Sequence, residues 1–326
     1  MKNDIPLVWV ELGRKVPKYA LANIFLHNEL HPEISQILIS DHEPPKSIKR
    51  ICNHVSTEDI NDIGDNYNLI KNINRNTSQI DFWLNTTRRF MILGLFMNQE
   101  KMSRLIHSES DNITLDFTSI FTLFSKTDWG IAYPMQSHGV GCASILLINN
   151  LEYINLLNSF ILENWQELNV DDMKLLGAFS ASEGYIPLPT YPFGDYVYDA
   201  GTYGKYLLGA DARNFRLPRS RRGLIDNSKG AINPIKEGFS FNVGPTEAQV
   251  RIEANGRESI LVNLHVHSKK ISSSATNLLD DLSKSFNSIG EEYWERGDWD
   301  WIVIVERLFS SFNKRVLRRK REIRLR

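Results

Sequence analysis

Two acidic residues follow an apolar segment in the middle of the chain. The pair Leu105-Ile106 leads through His107-Ser108 to Glu109 and Asp111, which are two residues apart. If residues 104–108 form a buried strand, both carboxylates lie in the loop at its carboxyl end, where open α/β sheets bind ligands. Carboxylates spaced in this way can share a divalent cation and the diphosphate it carries. Taken alone, the pair is as typical of a solvated loop as of a metal site.

A second group of candidate ligands lies in residues 260–267, which alternate apolar and polar side chains as a half-buried strand does. His265 and His267 would project from one face, and Lys269 would follow on the same side if the strand continued. Imidazole can join carboxylates around Mn²⁺, and an ammonium group can neutralise phosphate oxygens. Taken alone, the histidines and the lysine are better explained as partly exposed polar residues. The acidic pair shifts the balance towards a mixed oxygen and nitrogen site for Mn²⁺ or Mg²⁺.

Four further residues are candidates for catalysis or phosphate binding. Asp171 and Asp172 precede an apolar turn, where an aspartate most often caps a helix. The alternative is a carboxylate that faces the acceptor, as a general base or as a stabiliser of an oxocarbenium-like transition state. Arg88 and Arg89, at the start of a helix predicted over residues 88–102, either bind a phosphate or face solvent.

The order of predicted elements indicates an α/β fold. Apolar runs predict buried strands at residues 5–10, 36–40, 104–108, 143–148 and 260–267. Helical spacing of apolar residues predicts helices over residues 16–25, 88–102 and 154–168. The strand–helix–strand order implies parallel strands joined by right-handed crossovers.

The remaining segments divide into irregular regions, a hairpin and a terminal extension. Residues 56–80 and 184–235 are polar or rich in proline and glycine, which is typical of irregular structure. Two short runs, residues 239–243 and 249–253, flank a glycine–proline turn and predict a hairpin. We expect a catalytic domain over residues 1–270 and a helical extension over residues 271–326.

Composition points to a packed globular protein. Of the 326 residues, 42% are hydrophobic and 10% aromatic, which is ordinary for such proteins. The sequence has no apolar run long enough for a transmembrane helix and no pattern of a signal peptide at its start. Its two cysteines make no disulfide framework, so a reducing cytoplasm is the expected location.

Charge is unevenly distributed along the chain. Residues 314–326 carry eight lysines and arginines and one glutamate, a net charge of +7 against −1 for the whole chain, which leaves about −8 for the rest. An amphipathic basic segment suits an anionic membrane surface, where each cationic side chain contributes about 1 kcal/mol. Nucleic acid is a less favoured partner, and a disordered solubilising end is the other alternative.

Six motifs occur in an order that resembles one family. They are F-W-x-x-T-x-x-R (82–89), L-I-H-S-E-S-D-N (105–112), G-V-G-C-A-S-I-L-L-I (139–148), D-D-M-K-L-L (171–176), the segment 198–214, and N-L-H-V-H-S-K (263–269). Each motif is loose, but their order is similar to that in bacterial glycosyltransferases of the GT-A fold, in particular those of capsule and lipopolysaccharide gene clusters. The resemblance implies a GT-A-like, Rossmann-like mixed and mainly parallel sheet flanked by helices.

The resemblance also implies roles for individual residues. Glu109 and Asp111 stand where the family has its D-x-D metal motif, with glutamate in place of the first aspartate. His265 or His267 would complete the metal shell, and Lys269 would contact the donor's diphosphate. The segment from Glu11 to Arg14, which includes Gly13, would lie near the nucleotide base, and so would Asp41 after the second strand.

The function expected from this resemblance is transfer of a hexose from a nucleotide diphosphate donor to a growing, lipid-linked or surface glycan, assisted by Mn²⁺ or Mg²⁺. One alternative is a nucleotidyltransferase that makes the sugar nucleotide, which is disfavoured because no glycine-rich phosphate loop follows the first strand. Another is a non-catalytic sugar- or nucleotide-binding subunit of a polysaccharide-synthesis complex.

Overall fold

A computed structural model describes residues 5–61, 78–164, 171–208, 238–243, 249–267 and 269–282. The chain divides into a unit of residues Met1–Ser283 and a unit of residues Lys284–Arg326, and all the described residues belong to the first. The expected helical extension over residues 271–326 therefore lies mostly outside the described residues. Its described part ends at residue 282 and is helical over residues 275–282.

The described residues form strands and helices in alternation through the first half of the chain. The strands are β1 (Leu7–Glu11), β2 (Gln36–Ser40), β3 (Asn53–Ser56), β4 (Leu105–Ser108), β5 (Asn112–Thr114), β6 (Ile131–Ser137), β7 (Val140–Gly141), β8 (Ile145–Ile148), β9 (Tyr185–Leu188), β10 (Tyr196–Val197), β11 (Ser240–Val243), β12 (Val250–Ala254), β13 (Arg257–Leu261) and β14 (Asn263–His265). The helices are α1 (Lys18–Leu30), α2 (Ser78–Gln99), α3 (Thr118–Phe124), α4 (Leu151–Asn164), α5 (Asp172–Phe179) and α6 (Tyr203–Leu208).

The central sheet has the order β3-β2-β1-β4-β8-β6-β7, with β9 beside β6. Strands β3, β2, β1 and β4 are parallel neighbours, and β8 runs antiparallel between β4 and β6. The expected α/β class with a mixed, mainly parallel sheet is confirmed. The strand order reverses between β1 and β4, and a crevice outside the carboxyl ends of such strands is the usual ligand site of this architecture.

Helices cover both faces of this sheet. Successive residues of β1 alternate, so that Val8 packs into one core cluster while Leu7 and Trp9 pack into the other. The first cluster takes its helical residues from α2, α4 and α5, and the second takes them from α1 and α3. Both faces of the sheet are therefore buried, which explains why the segments that form β1 and β2 are largely apolar without alternating polar residues.

Two sequence predictions about elements are wrong. Helix α2 begins at Ser78, ten residues earlier than expected, so Arg88 lies in the middle of the helix and not at its start. The early turns are rich in polar residues, which hides their helical periodicity. Residues 260–267 are not one strand, because the backbone of Val262 bonds to Val197 and Leu115 and carries the chain from β13 in one sheet to β14 in another.

The predicted hairpin is present, since β11 and β12 pair antiparallel. Within the described part of the irregular segment 184–235, the structure contains β9, β10 and α6. No helix in the described ranges is both long enough and apolar enough to cross a bilayer.

Candidate active site

The carboxyl ends of β1 and β2 bring together three of the residues predicted to bind the nucleotide. The Gly13 N–H donates to Asp41 Oδ2 at 2.5 Å, and the Thr57 hydroxyl donates to Asp41 Oδ1 at 2.8 Å. Gly13 has a φ of 74°, and a Cβ there would overlap the Asn85 amide, so this position favours glycine. Arg88 Nη1 donates to Asn85 Oδ1 at 3.3 Å within helix α2, so Arg88 lies beside the asparagine that neighbours Gly13.

Glu11, the last residue of β1, joins this corner to the acidic loop after β4. The buried Ser110 hydroxyl donates to a carboxylate oxygen of Glu11. The other Glu11 oxygen lies 3.5 Å from Arg14 Nε. The predicted nucleotide corner and the predicted metal loop are thus adjacent.

The acidic pair and the late histidine meet although more than 150 residues separate them. Strand β14 pairs antiparallel with β5, which places His265 opposite Asn112, the residue after Asp111. His265 Nε2 lies 3.2 Å from Glu109 Oε2 and 3.4 Å from Asp111 Oδ1. Adjacent ligands of an octahedral cation with bonds of about 2.1 Å are about 3 Å apart. The two distances from His265 are close to this spacing, and carboxylate and imidazole are donors that such a cation accepts.

Lys269 also reaches the acidic pair, through a turn. The strand ends at His265, and Lys269 has a left-handed φ of 57° with its N–H donated to Val266 O at 3.0 Å. Its ammonium group pairs with Asp111 Oδ2 and lies 5.4 Å from the centre of the Tyr19 ring. The prediction that Lys269 would continue on the face of a longer strand is wrong, but the residue lies in the cluster.

The predicted ligand His267 has a different position. Its ring lies against the ring of His265, with centroids 4.4 Å apart, and a Cβ at Gly201 would come within 2.7 Å of its Nε2. Within the described part of the chain this Nε2 is buried without a hydrogen-bond partner. Of the two histidines, the structure sets His265 beside both carboxylates.

Burial and opposite charges act against each other in this cluster. Burial alone would lower the pKa of His265, but contacts with Cys142 and the charge of Glu109 outweigh it and raise the pKa to about 9. Burial would raise the pKa of Glu109, but Arg89 and His265 outweigh it and lower the pKa to about 2. Near neutral pH the imidazole is therefore cationic and Glu109 is ionised.

Arg89, for which the sequence left phosphate binding and solvent exposure open, instead bridges two buried carboxylates. Its Nη1 lies 2.6 Å from Glu109 Oε1, and its Nη2 lies 2.5 Å from Asp172 Oδ2. All three side chains are at least four-fifths buried. Burial is the main cause that raises the pKa of Asp172 to about 6.

The two predicted catalytic aspartates differ in their surroundings. Asp171 caps α5, because its side chain accepts the Lys174 N–H at 2.6 Å, which is the structural role that the sequence favoured. Asp172 is buried in the charged cluster through Arg89. Only Asp172 is thus linked by direct ion pairs to the acidic loop.

Cys142 and Asp199 are two further members that sequence reasoning missed. Cys142 Sγ lies 3.8 Å from His265 Nδ1, whereas the carboxylates of Glu109 and Asp111 lie beside Nε2. Asp199 is fully buried and accepts the backbone N–H of His265 at 2.8 Å. Both lie in segments that carry the family resemblance, residues 139–148 and 198–214, but neither segment indicates a contact with His265, which tertiary structure alone creates.

The sequence matches no family model and no curated protein at a significant level. The chain is similar in part to several solved structures. One is the galactosyltransferase LgtC in complex with donor and acceptor sugar analogues, at 13% identity over 57% of this chain and 74% of that chain, with a TM-score of 0.39. A second is the glycosyltransferase GlyE of Streptococcus pneumoniae TIGR4, at 16% identity over 57% of this chain and 46% of that chain, with a TM-score of 0.39. A third is mouse xyloside xylosyltransferase 1, at 11% identity over 57% of this chain and 85% of that chain, with a TM-score of 0.38. Similarity at this level concerns the fold of part of the chain.

Proposed function

We propose that this chain is a glycosyltransferase that moves a sugar from a nucleotide diphosphate donor to a glycan acceptor. The observation that carries the proposal is the convergence of Glu109, Asp111, His265 and Lys269 at the carboxyl edge of the parallel strands. Two carboxylates and an imidazole suit a divalent cation, and an ammonium group beside them suits the phosphates that the cation would carry. The motif order of the sequence supports the same reaction.

Mn²⁺ or Mg²⁺ is the proposed cofactor, held by Glu109, Asp111 and His265, with His267 the remaining candidate. When bound, such a cation stabilises charge that develops on the leaving diphosphate. Cation binding needs Asp111 free, so the ammonium group of Lys269 must leave the position it occupies in this structure. Lys269 is then available to contact the diphosphate.

The nucleotide is proposed to lie over the ends of β1 and β2. Glu11, Gly13 and Asp41 form the edge of this corner, and Arg88 on α2 lies next to it. The carboxylates of Glu11 and Asp41 are suited to accept hydrogen bonds from ribose hydroxyls or base nitrogens, and the guanidinium group is suited to a phosphate.

Asp172 is the stronger of the two proposed catalytic carboxylates. Its pKa of about 6 is near the working pH, as general-base catalysis requires, and Arg89 fixes its position relative to Glu109. Asp171 stays a candidate for the acceptor side, with its oxygen already bonded at the helix cap. The proposed acceptor is a lipid-linked or surface glycan, at an anionic membrane surface reached by the basic residues 314–326.

A donor screen tests the proposal. The full chain is incubated with a panel of nucleotide sugars, with and without Mn²⁺, and released nucleoside diphosphate is measured by mass spectrometry. We expect release from one donor, dependent on the cation, and its loss in the Glu109→Gln/Asp111→Asn double variant. The matched control is Glu183→Gln/Asp195→Asn, which changes two exposed carboxylates and should leave release unchanged. Failure of every donor under every cation condition would overturn the proposed reaction.

A non-catalytic binding subunit is the second candidate, and one observation favours it. Arg89, His265 and Lys269 already neutralise both carboxylates of the acidic loop. A protein that binds a nucleotide sugar in equilibrium dialysis but releases no nucleoside diphosphate in the donor screen would support this candidate.

A further inference from the structure

The two ring nitrogens of His265 lie in different environments. Nε2 faces the carboxylates of Glu109 and Asp111, while Nδ1 faces the thiol of Cys142 at 3.8 Å. One ligand atom each from Glu109, Cys142 and His265 lie within 4.8 Å of one another. We propose that these three residues form a position for a thiophilic divalent cation, of which Zn²⁺ is the representative.

The spacing suits zinc after a small adjustment. With bonds of about 2.3 Å to sulfur and about 2.0 Å to nitrogen, a tetrahedral zinc separates the two ligand atoms by about 3.5 Å. The observed separation of Cys142 Sγ and His265 Nδ1 is 3.8 Å. A carboxylate oxygen of Glu109 lies within 4.8 Å of the Cys142 sulfur and of a ring nitrogen of His265, so side-chain shifts of about 1 Å bring the three donors to the spacing of zinc ligands.

The chemistry of the donors separates this position from the one proposed for Mn²⁺ or Mg²⁺. Thiolate ligands select zinc and other soft cations, whereas hard cations prefer oxygen. Three protein ligands leave a fourth place open on zinc, as in its catalytic sites. The thiol side of the ring therefore favours a softer cation such as Zn²⁺, and the carboxylate side favours a harder cation such as Mn²⁺ or Mg²⁺.

The two positions share ligands and exclude each other. Glu109 and His265 serve both, Asp111 serves only the carboxylate side, and Cys142 serves only the thiol side. A zinc ion on the thiol side removes Glu109 from the coordination of Mn²⁺. Zinc therefore competes with the cation of the proposed reaction, and the thiol position exists whether or not the chain transfers a sugar.

Cobalt substitution tests the thiol ligand directly. The full chain is stripped with a chelator and titrated with Co²⁺, whose bond to a thiolate gives a ligand-to-metal charge-transfer band in the near ultraviolet. We expect this band in the unmodified chain and its loss in Cys142→Ser. The control Cys52→Ser changes the other buried cysteine and should retain the band. Zn²⁺ affinity should fall at least tenfold in Cys142→Ser, since even loss of an outer partner of a ligand costs about 10–100-fold.

A reciprocal variant separates the two positions. Asp111→Asn should weaken Mn²⁺ binding, followed by electron paramagnetic resonance, and leave the cobalt–thiolate band in place; Cys142→Ser should do the reverse. A Cys142→Ser protein that folds, shown by circular dichroism, and keeps both the band and its Zn²⁺ affinity would overturn the inference. The band in a protein that transfers no sugar would reject the proposed reaction and leave the thiol position standing.

Discussion

The substitution Asp199→Asn tests how strongly the fold holds His265 in place. Asp199 is fully buried at the start of α6. Its two oxygens accept four backbone N–H bonds of 2.7–3.0 Å, from Gly201, Tyr203, Gly204 and His265. One carboxylate therefore fixes both the first turn of a helix and the backbone of β14.

The expected loss of stability in Asp199→Asn follows from the number of hydrogen bonds that each carboxylate oxygen accepts. Asparagine keeps one oxygen and replaces the other with an NH₂ group, which cannot accept the two N–H bonds at that position. A hydrogen bond to a charged group contributes about 1.5–3 kcal/mol, so two lost bonds cost about 3–6 kcal/mol. That is a large part of the 5–15 kcal/mol by which a typical protein is stable.

Urea denaturation measures this loss. We expect the midpoint for Asp199→Asn to fall with an unchanged m-value. The matched control is Asp195→Asn, four residues earlier and exposed, which should change the free energy of unfolding by less than about 0.5 kcal/mol. A loss below about 1 kcal/mol for Asp199→Asn, or equal losses in both variants, would refute the role assigned to Asp199.

Three further outcomes are expected. Because the pKa of His265 is raised from 6.5 to about 9, the stability that its charged form contributes is fully present below pH 6.5 and is lost as pH rises through 9. The difference in unfolding free energy between the unmodified chain and His265→Gln should therefore shrink by roughly 1–3 kcal/mol over that range. A constant difference would contradict the raised pKa. Arg89→Met should lower the free energy of unfolding measured in urea by about 3–5 kcal/mol, since it leaves two buried carboxylates without the guanidinium group that pairs with them. Adding Asp172→Asn should restore part of this loss, and no recovery would mean that Arg89 acts mainly by packing. Deletion of residues 314–326 should reduce co-sedimentation with anionic vesicles and leave neutral vesicles unaffected, and equal co-sedimentation with and without the tail would exclude a membrane role for it.

The parts of the fold that follow from local pattern were predictable. Strand β2 matches the predicted range 36–40, since both faces of the strand are buried and apolar. The buried residues Ile154, Leu157 and Ile161 of α4 have the spacing from which that helix was predicted. In these segments burial alone decides the residue type, so periodicity is a sufficient signal.

The candidate site could be predicted only in part. Glu109 and Asp111 stand beside a strand end, and His265 alternates with apolar residues, so residue type and position pointed to them. Cys142 and Asp199 lie 123 and 66 residues from His265, and nothing in their immediate sequence indicates the contact. Asp199 follows β10, which pairs with β13, and Cys142 follows β7, so each reaches His265 through the assembly of strands that are distant in sequence.

The central claim is that the acidic loop holds a cation that binds a nucleotide diphosphate. The most direct measurement is the thermal midpoint of the full chain with UDP, GDP or CMP, with and without Mn²⁺, since a ligand of the native state raises stability by mass action. We predict that one nucleotide raises the midpoint only when Mn²⁺ is present, and that the Glu109→Gln/Asp111→Asn variant loses this shift. A midpoint that no nucleotide raises in any cation, or a shift that the variant retains in full, would contradict the claim.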